Sequence, residues 1–130
     1  MNQQLAQIAI LVNDYDEAID FYTKKLNFRL IEDTRLSEEK RWVRVAPSHS
    51  ETCLLLARAS NEHQKTFVGN QSGGRVFLFL NTDNFDRDFQ NLLNHNIEIV
   101  RQPVREPYGT VAVFKDLYGN LWDLIGHKNK

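Results

Sequence analysis

VAVFKDLYGNLWDL, residues 111 to 124, reads as two short apolar runs around a polar turn. That is the pattern of a hairpin. The same pattern stands earlier as VRVAPSHSETCLLL, residues 43 to 56, at a shift of 68 positions. Moving outward, QIAILV and RVFLFL begin at 7 and 75, again 68 apart. The stretches between them match better at 69, with Asp14 on Asp83 and Asn27-Phe28 on Asn96-Ile97. One residue is therefore gained in the second strand-to-helix turn.

The order of elements repeats with the pattern. Strands are expected at Gln7 to Val12, Phe28 to Ile31, Trp42 to Ala46 and Thr52 to Ala57. A helix is expected from Tyr15 to Leu26, behind the Asn13-Asp14 cap. The second set is Arg75 to Leu80, a helix from Asn84 to about Asn94 capped by Thr82-Asp83, then Ile97 to Val100, Thr110 to Phe114 and Leu121 to Ile125. The expected fold class is α+β: two tandem βαβββ modules, about 5–58 and 74–127, forming a curved sheet around a cleft. A polar linker, about 59–73, joins them within one domain spanning 1–130, and its length favours a functional loop.

Composition narrows the partners. With 16 basic and 17 acidic residues, the formal net charge is −1. Nothing in that balance calls for nucleic acid or an anionic membrane. The one cysteine, Cys53, rules out an internal disulfide and a multi-cysteine zinc site, and its apolar run CLLLA suits a buried thiol. No signal peptide or membrane span is visible, so a cytoplasmic location is expected.

Strand alternation then sorts the faces. Ile8, Ile10 and Val12 suit the side covered by the helix, and Gln7, Ala9 and Leu11 the cleft. In the repeat, Val76, Leu78 and Leu80 take the helix side, and Arg75, Phe77 and Phe79 the cleft. Asp123 shares a face with Leu121 and Ile125, and its repeat partner is Leu55. Trp42 and Trp122 are expected to bury.

Two stretches carry a resemblance. ILVNDYDEAIDFYTKKLNF (10–28) resembles the opening of the vicinal oxygen chelate superfamily, and PYGTVAVFKDLYGNLWDLI (107–125) resembles its closing hairpin. That superfamily includes glyoxalase I, extradiol dioxygenases, fosfomycin-resistance enzymes and bleomycin-binding proteins. The resemblance implies the fold, but one fold hosts many chemistries. It also implies where a metal would sit: at Gln7, Arg75, Asp123 and Leu55. Leu55 offers no donor atom. Arg75 stays protonated, offers only donors and repels a cation. Gln7 and Asp123 alone make no tight site. No cofactor is expected, with a divalent metal on Gln7 and Asp123 as the alternative.

Arg75 has two open readings. It pairs with Asp123 across the cleft, or it holds a ligand anion beside the aromatic wall of Phe77 and Phe79. The segment Arg105 to Gly109 is expected to be a rigid loop, either a surface lip or a cleft rim where Tyr108 or Glu106 touches a ligand. His49, His63, His95 and His127 show no ligand spacing and read as surface residues. The expected function is glyoxalase/bleomycin-resistance-like binding of a small, partly apolar or aromatic anion without the usual metal centre. Its ligand set is Arg75, Asp123, Gln7, Phe77, Phe79 and Tyr108. The alternative is a metal-dependent enzyme of the superfamily, a lactoylglutathione-lyase-like lyase or isomerase, or a dioxygenase, using Gln7 and Asp123. A homodimer is expected, because open sheets leave edges that need covering.

Overall fold

The computed structural model describes residues 1–128, and the backbone divides between Val68 and Gly69 into two units. The first holds β1 (Gln7–Val12), α1 (Tyr15–Asp20), β2 (Arg29–Arg35), β3 (Arg41–Ala46), β4 (Cys53–Arg58) and α2 (Glu62–Lys65). The second holds β5 (Val76–Thr82), α3 (Phe85–Asn94), β6 (Ile99–Glu106), β7 (Gly109–Lys115) and β8 (Leu121–His127). Each unit forms a four-stranded sheet, in the orders β1-β4-β3-β2 and β5-β8-β7-β6. The first and last strands of each set run parallel, and the rest pair antiparallel. This is the α+β, twice-repeated βαβββ order that the two hairpin sequences predict.

In the first unit, Asp14 caps α1 by accepting a hydrogen bond from the Glu17 amide at 2.8 Å. The helix then widens. Phe21–Lys25 forms one π turn, where the Leu26 amide donates to the Phe21 carbonyl. Its apolar side meets Ile10, Val12, Val43, Val45, Leu54 and Leu56, all nearly inaccessible. In the second unit, Asn84 caps α3 from its side chain, one residue beyond the expected Thr82-Asp83 cap. Ala112, Phe114, Trp122 and Leu124 form that core with Leu92 and Ile97. Phe114 stacks on Trp122 at 5.8 Å between ring centres.

The duplication shows in the backbone as well. Asn27 and Asn96, 69 apart, both adopt left-handed φ, 60° and 57°. Asparagine tolerates that region better than other residues with a Cβ.

Three expectations about the strands are corrected. Arg75 lies outside the strand, which begins at Val76. The β5 ladder slips between Val76 and Leu78, leaving Phe77 as an extra bulged residue. Hence Val76 sits opposite Leu121, and the alternation after it is displaced by one. β6 continues to Glu106, so Arg105 and Glu106 belong to a strand and only Pro107-Tyr108 turn. Pro103 hides this strand from a sequence reading, yet proline is tolerated there because β6 is an edge strand with a register slip at that point. The 59–73 stretch also has structure of its own, since α2 is capped by Asn61.

Candidate functional site

Each sheet has one face covered by its own helix and one that is not, called here the open face. Residues in register across neighbouring strands share a face. In the second unit one such row runs Phe79, Asp123, Val113, Arg101. A second runs Asn81, Ile125, Val111, Val104. Gly126 stands on the other face, where a Cβ would meet that of Phe85 in α3 at 2.7 Å.

The first row sets an exposed phenylalanine beside a half-buried carboxyl, a buried valine and an exposed arginine. Phe79 sits in mid-strand, yet 64% of its surface is exposed. Asp123 next to it is half-buried. Burial pushes its carboxyl above the usual aspartate value, and the positive charge of Arg101 opposes that shift. Among the described residues, no ion pair shorter than 4.0 Å engages Asp123. Arg101 reaches Glu106 at only 3.5 Å, with 53% of its side chain exposed. At the end of the same face, His127 Nε2 meets Asn81 Oδ1 at 2.9 Å, and the Tyr108 ring lies 6.5 Å from the His127 ring.

The cation that Asp123 senses is thus Arg101, which the sequence reading missed. Arg75 is exposed, and its backbone carbonyl accepts a hydrogen bond from the Ser72 hydroxyl. The ion pair between Arg75 and Asp123, one of its two open readings, is not formed among the described residues. The strand expected from the sequence stops at Val100, one residue short of Arg101, whereas β6 runs on to Glu106.

In the first unit the corresponding row is Ala9, Leu55, Arg44, Glu32. Leu55 stands opposite Ala9 and Arg44, where Asp123 stands opposite Phe79 and Val113. Arg44 is neutralised by Glu32 at 3.0 Å and lies 3.8 Å from the Cys53 thiol. Gln7 stands opposite Cys53, whose thiol donates weakly toward Gln7 Oε1 at 4.0 Å. Trp42 shares this face with Arg44 and is only half-buried, against the expectation that it buries. Trp122 does bury.

The DLYGN turn that carries the resemblance has a structural task. Asp116 is 6% exposed. Its Oδ1 accepts from the amides of Tyr118, Gly119 and Asn120, and its Oδ2 from Asn120 Nδ2 and Trp122 Nε1 at 3.1 Å each. The motif therefore builds the turn into β8 that precedes Asp123.

The metal positions implied by the resemblance do not make a donor set. Gln7 and Asp123 bring oxygens, Leu55 brings none, and Arg75 brings a positive charge. Among the described residues, no three His, Cys, Asp or Glu side chains cluster as ligands would. No helix among them is long and apolar enough to cross a membrane.

A βαβββ unit used twice, with a conserved pairing order in both halves, defines a two-module α+β protein. The sequence profile of the Glyoxalase/Bleomycin resistance protein/Dioxygenase superfamily matches residues 4–124, and the chain belongs to that superfamily. A protein of Shewanella frigidimarina is 59% identical over 132 residues, covering 100% of this chain and 98% of the relative. The crystal structure of UcmS2 matches with a TM-score of 0.83 at 28% identity, covering 96% of this chain and 98% of that one. TnmS3, described as an antibiotic binding protein from Streptomyces sp. CB03234, matches with a TM-score of 0.79 at 28% identity, covering 98% of both chains.

Proposed function

We propose that this protein binds a small aromatic anion on the open face of its second sheet, without a metal. The observation that carries this reading is Phe79. A phenylalanine 64% exposed in mid-strand leaves apolar area in water that a bound ring would cover. Beside it stands a half-buried carboxyl held away from its ordinary ionisation, an arrangement that favours function over stability. The likeness to TnmS3, an antibiotic binding protein, supports a binding role. The donor chemistry of Gln7, Leu55, Arg75 and Asp123 supports metal independence.

Titration calorimetry with 2-naphthoate tests the reading. Wild type should bind, and Phe79→Ala should bind about two- to tenfold more weakly, the range of one aromatic contact. Equal affinity in the two proteins refutes it.

The reading extends to assembly and location. β2 carries Arg29, Glu32, Asp33 and Arg35, and β6 carries Pro103 with two register slips, so both edges are protected against pairing. β1 and β5 are the other edges and are mainly apolar, which favours a homodimer that covers apolar edge surface. A free buried thiol suits a reducing, cytoplasmic compartment.

A further inference from the structure

We infer that Arg101 holds the anionic group of the ligand and Asp123 accepts a hydrogen bond from a hydroxyl at its other end, so that the site selects hydroxylated aromatic acids. This deepens the proposed binding face and rests on it.

The geometry runs across the sheet. Phe79 stands on β5 as a wall, Asp123 follows on β8, Val113 is the apolar floor on β7, and Arg101 stands on β6. Neighbouring strands lie about 4.8 Å apart, so the backbone positions of Asp123 and Arg101 are separated by roughly 10 Å. A flat bicyclic acid spans that distance. Its ring lies above the row with the hydroxyl end beside Phe79, its hydroxyl meets Asp123, and its carboxylate meets Arg101.

The current partner of Arg101 is easily exchanged. Glu106 Oε1 is 3.5 Å from the guanidinium, beyond ordinary hydrogen-bond distance, and both side chains reach solvent. An exposed pair of this kind contributes little, so a ligand carboxylate in bidentate contact replaces it readily. Arg44 shows the contrast in the first unit, since Glu32 holds it by a 3.1 Å hydrogen bond. Arg75 precedes β5 and has no place in the row. Asp123 offers two acceptor oxygens in a partly desolvated position, where a hydroxyl donor is worth more than in water. Among the described residues, this face also carries Lys115, which pairs with Glu98 at 3.4 Å, and His127, which is bonded to Asn81.

The test is calorimetry at pH 7 with 6-hydroxy-2-naphthoate, which carries a hydroxyl and a carboxylate at opposite ends of one bicycle. Two truncated probes accompany it, 2-naphthoate without the hydroxyl and 2-naphthol without the carboxylate. Arg101→Ala should weaken the full probe about ten- to a hundredfold, the range for a hydrogen bond to a charged group. It should leave 2-naphthol binding unchanged. Asp123→Ala should erase the preference for 6-hydroxy-2-naphthoate over 2-naphthoate. Arg105→Ala, on the same strand but in register with Thr110 on the opposite face, should bind as wild type. Circular dichroism melts of each variant confirm that folding is retained, and Arg101→Lys supplies a second variant with the charge kept and the bidentate fork lost. Wild-type affinity in Arg101→Ala, or a loss in Arg75→Ala in its place, overturns the inference while the Phe79 result stands. If Phe79→Ala also binds as wild type, the binding face itself is wrong.

Discussion

Asp123 and Asp116 lie seven residues apart and illustrate opposite uses of a carboxylate. Asp116 is a hub: five donors converge on it, so Asp116→Ala strands backbone amides and the Trp122 indole in the core. Losing several such bonds should cost about 3 kcal/mol or more, read as a lowered midpoint in a urea melt. Asp123 has the reverse effect on stability. Its folded-state value is raised by burial, so the folded protein binds the proton more tightly than the unfolded chain. Stability then falls as pH rises from the ordinary aspartate value through the raised one. Asp123→Asn removes this penalty. The variant should be more stable than wild type at pH 7, and the difference should vanish in melts below pH 3.8. A variant less stable than wild type at pH 7 would show that the carboxylate is held by partners, against the binding reading.

Among the elements, the informative features are irregular. The paired left-handed asparagines mark the turn from helix to strand in both halves. Asn96→Ala should cost about 1 kcal/mol in a chemical melt, and Asn96→Gly should be tolerated, because only a Cβ is penalised there. The β5 bulge decides which side chains reach the open face. One extra residue at Phe77 reverses the alternation behind it, so Arg75 leaves the sheet and Val76 takes the place beside Leu121. Deleting Phe77 should restore plain alternation and bury a different set of side chains, measured as lost 2-naphthoate binding in a protein that still folds. The β6 edge was shortened in the sequence reading by Pro103, and that hid Arg101, the cation nearest in effect to Asp123.

At the scale of the molecule, metal content and assembly can both be measured on protein purified without chelators. Elemental analysis should find no stoichiometric divalent metal, since two of the four positions implied by the superfamily carry no usable donor. Stoichiometric zinc, iron, nickel or manganese that disappears in Gln7→Ala, Asp123→Ala would instead establish a metal site and overturn the metal-free reading. Light scattering should give about twice the 15.2 kDa chain mass. A 15.2 kDa particle at tens of micromolar would leave β1 and β5 to be covered in some other way.

The sequence by itself determined the duplication, the order of elements, the helix caps to within a residue, and the burial of Trp122. These follow from local periodicity and turn chemistry, which repeat in VRVAPSHSETCLLL and VAVFKDLYGNLWDL whatever the rest of the chain does. Phe79 and Asp123 were named from the sequence, but the row that sets them with Arg101 was decided only in the tertiary structure. A bulge at Phe77 and a slip at Pro103 each move side chains from one face to the other, and neither changes the apolar pattern. Arg101 and Asp123 stand 22 positions apart in sequence and meet electrostatically across an intervening strand, a relation set by strand order and register, which no local stretch of sequence contains.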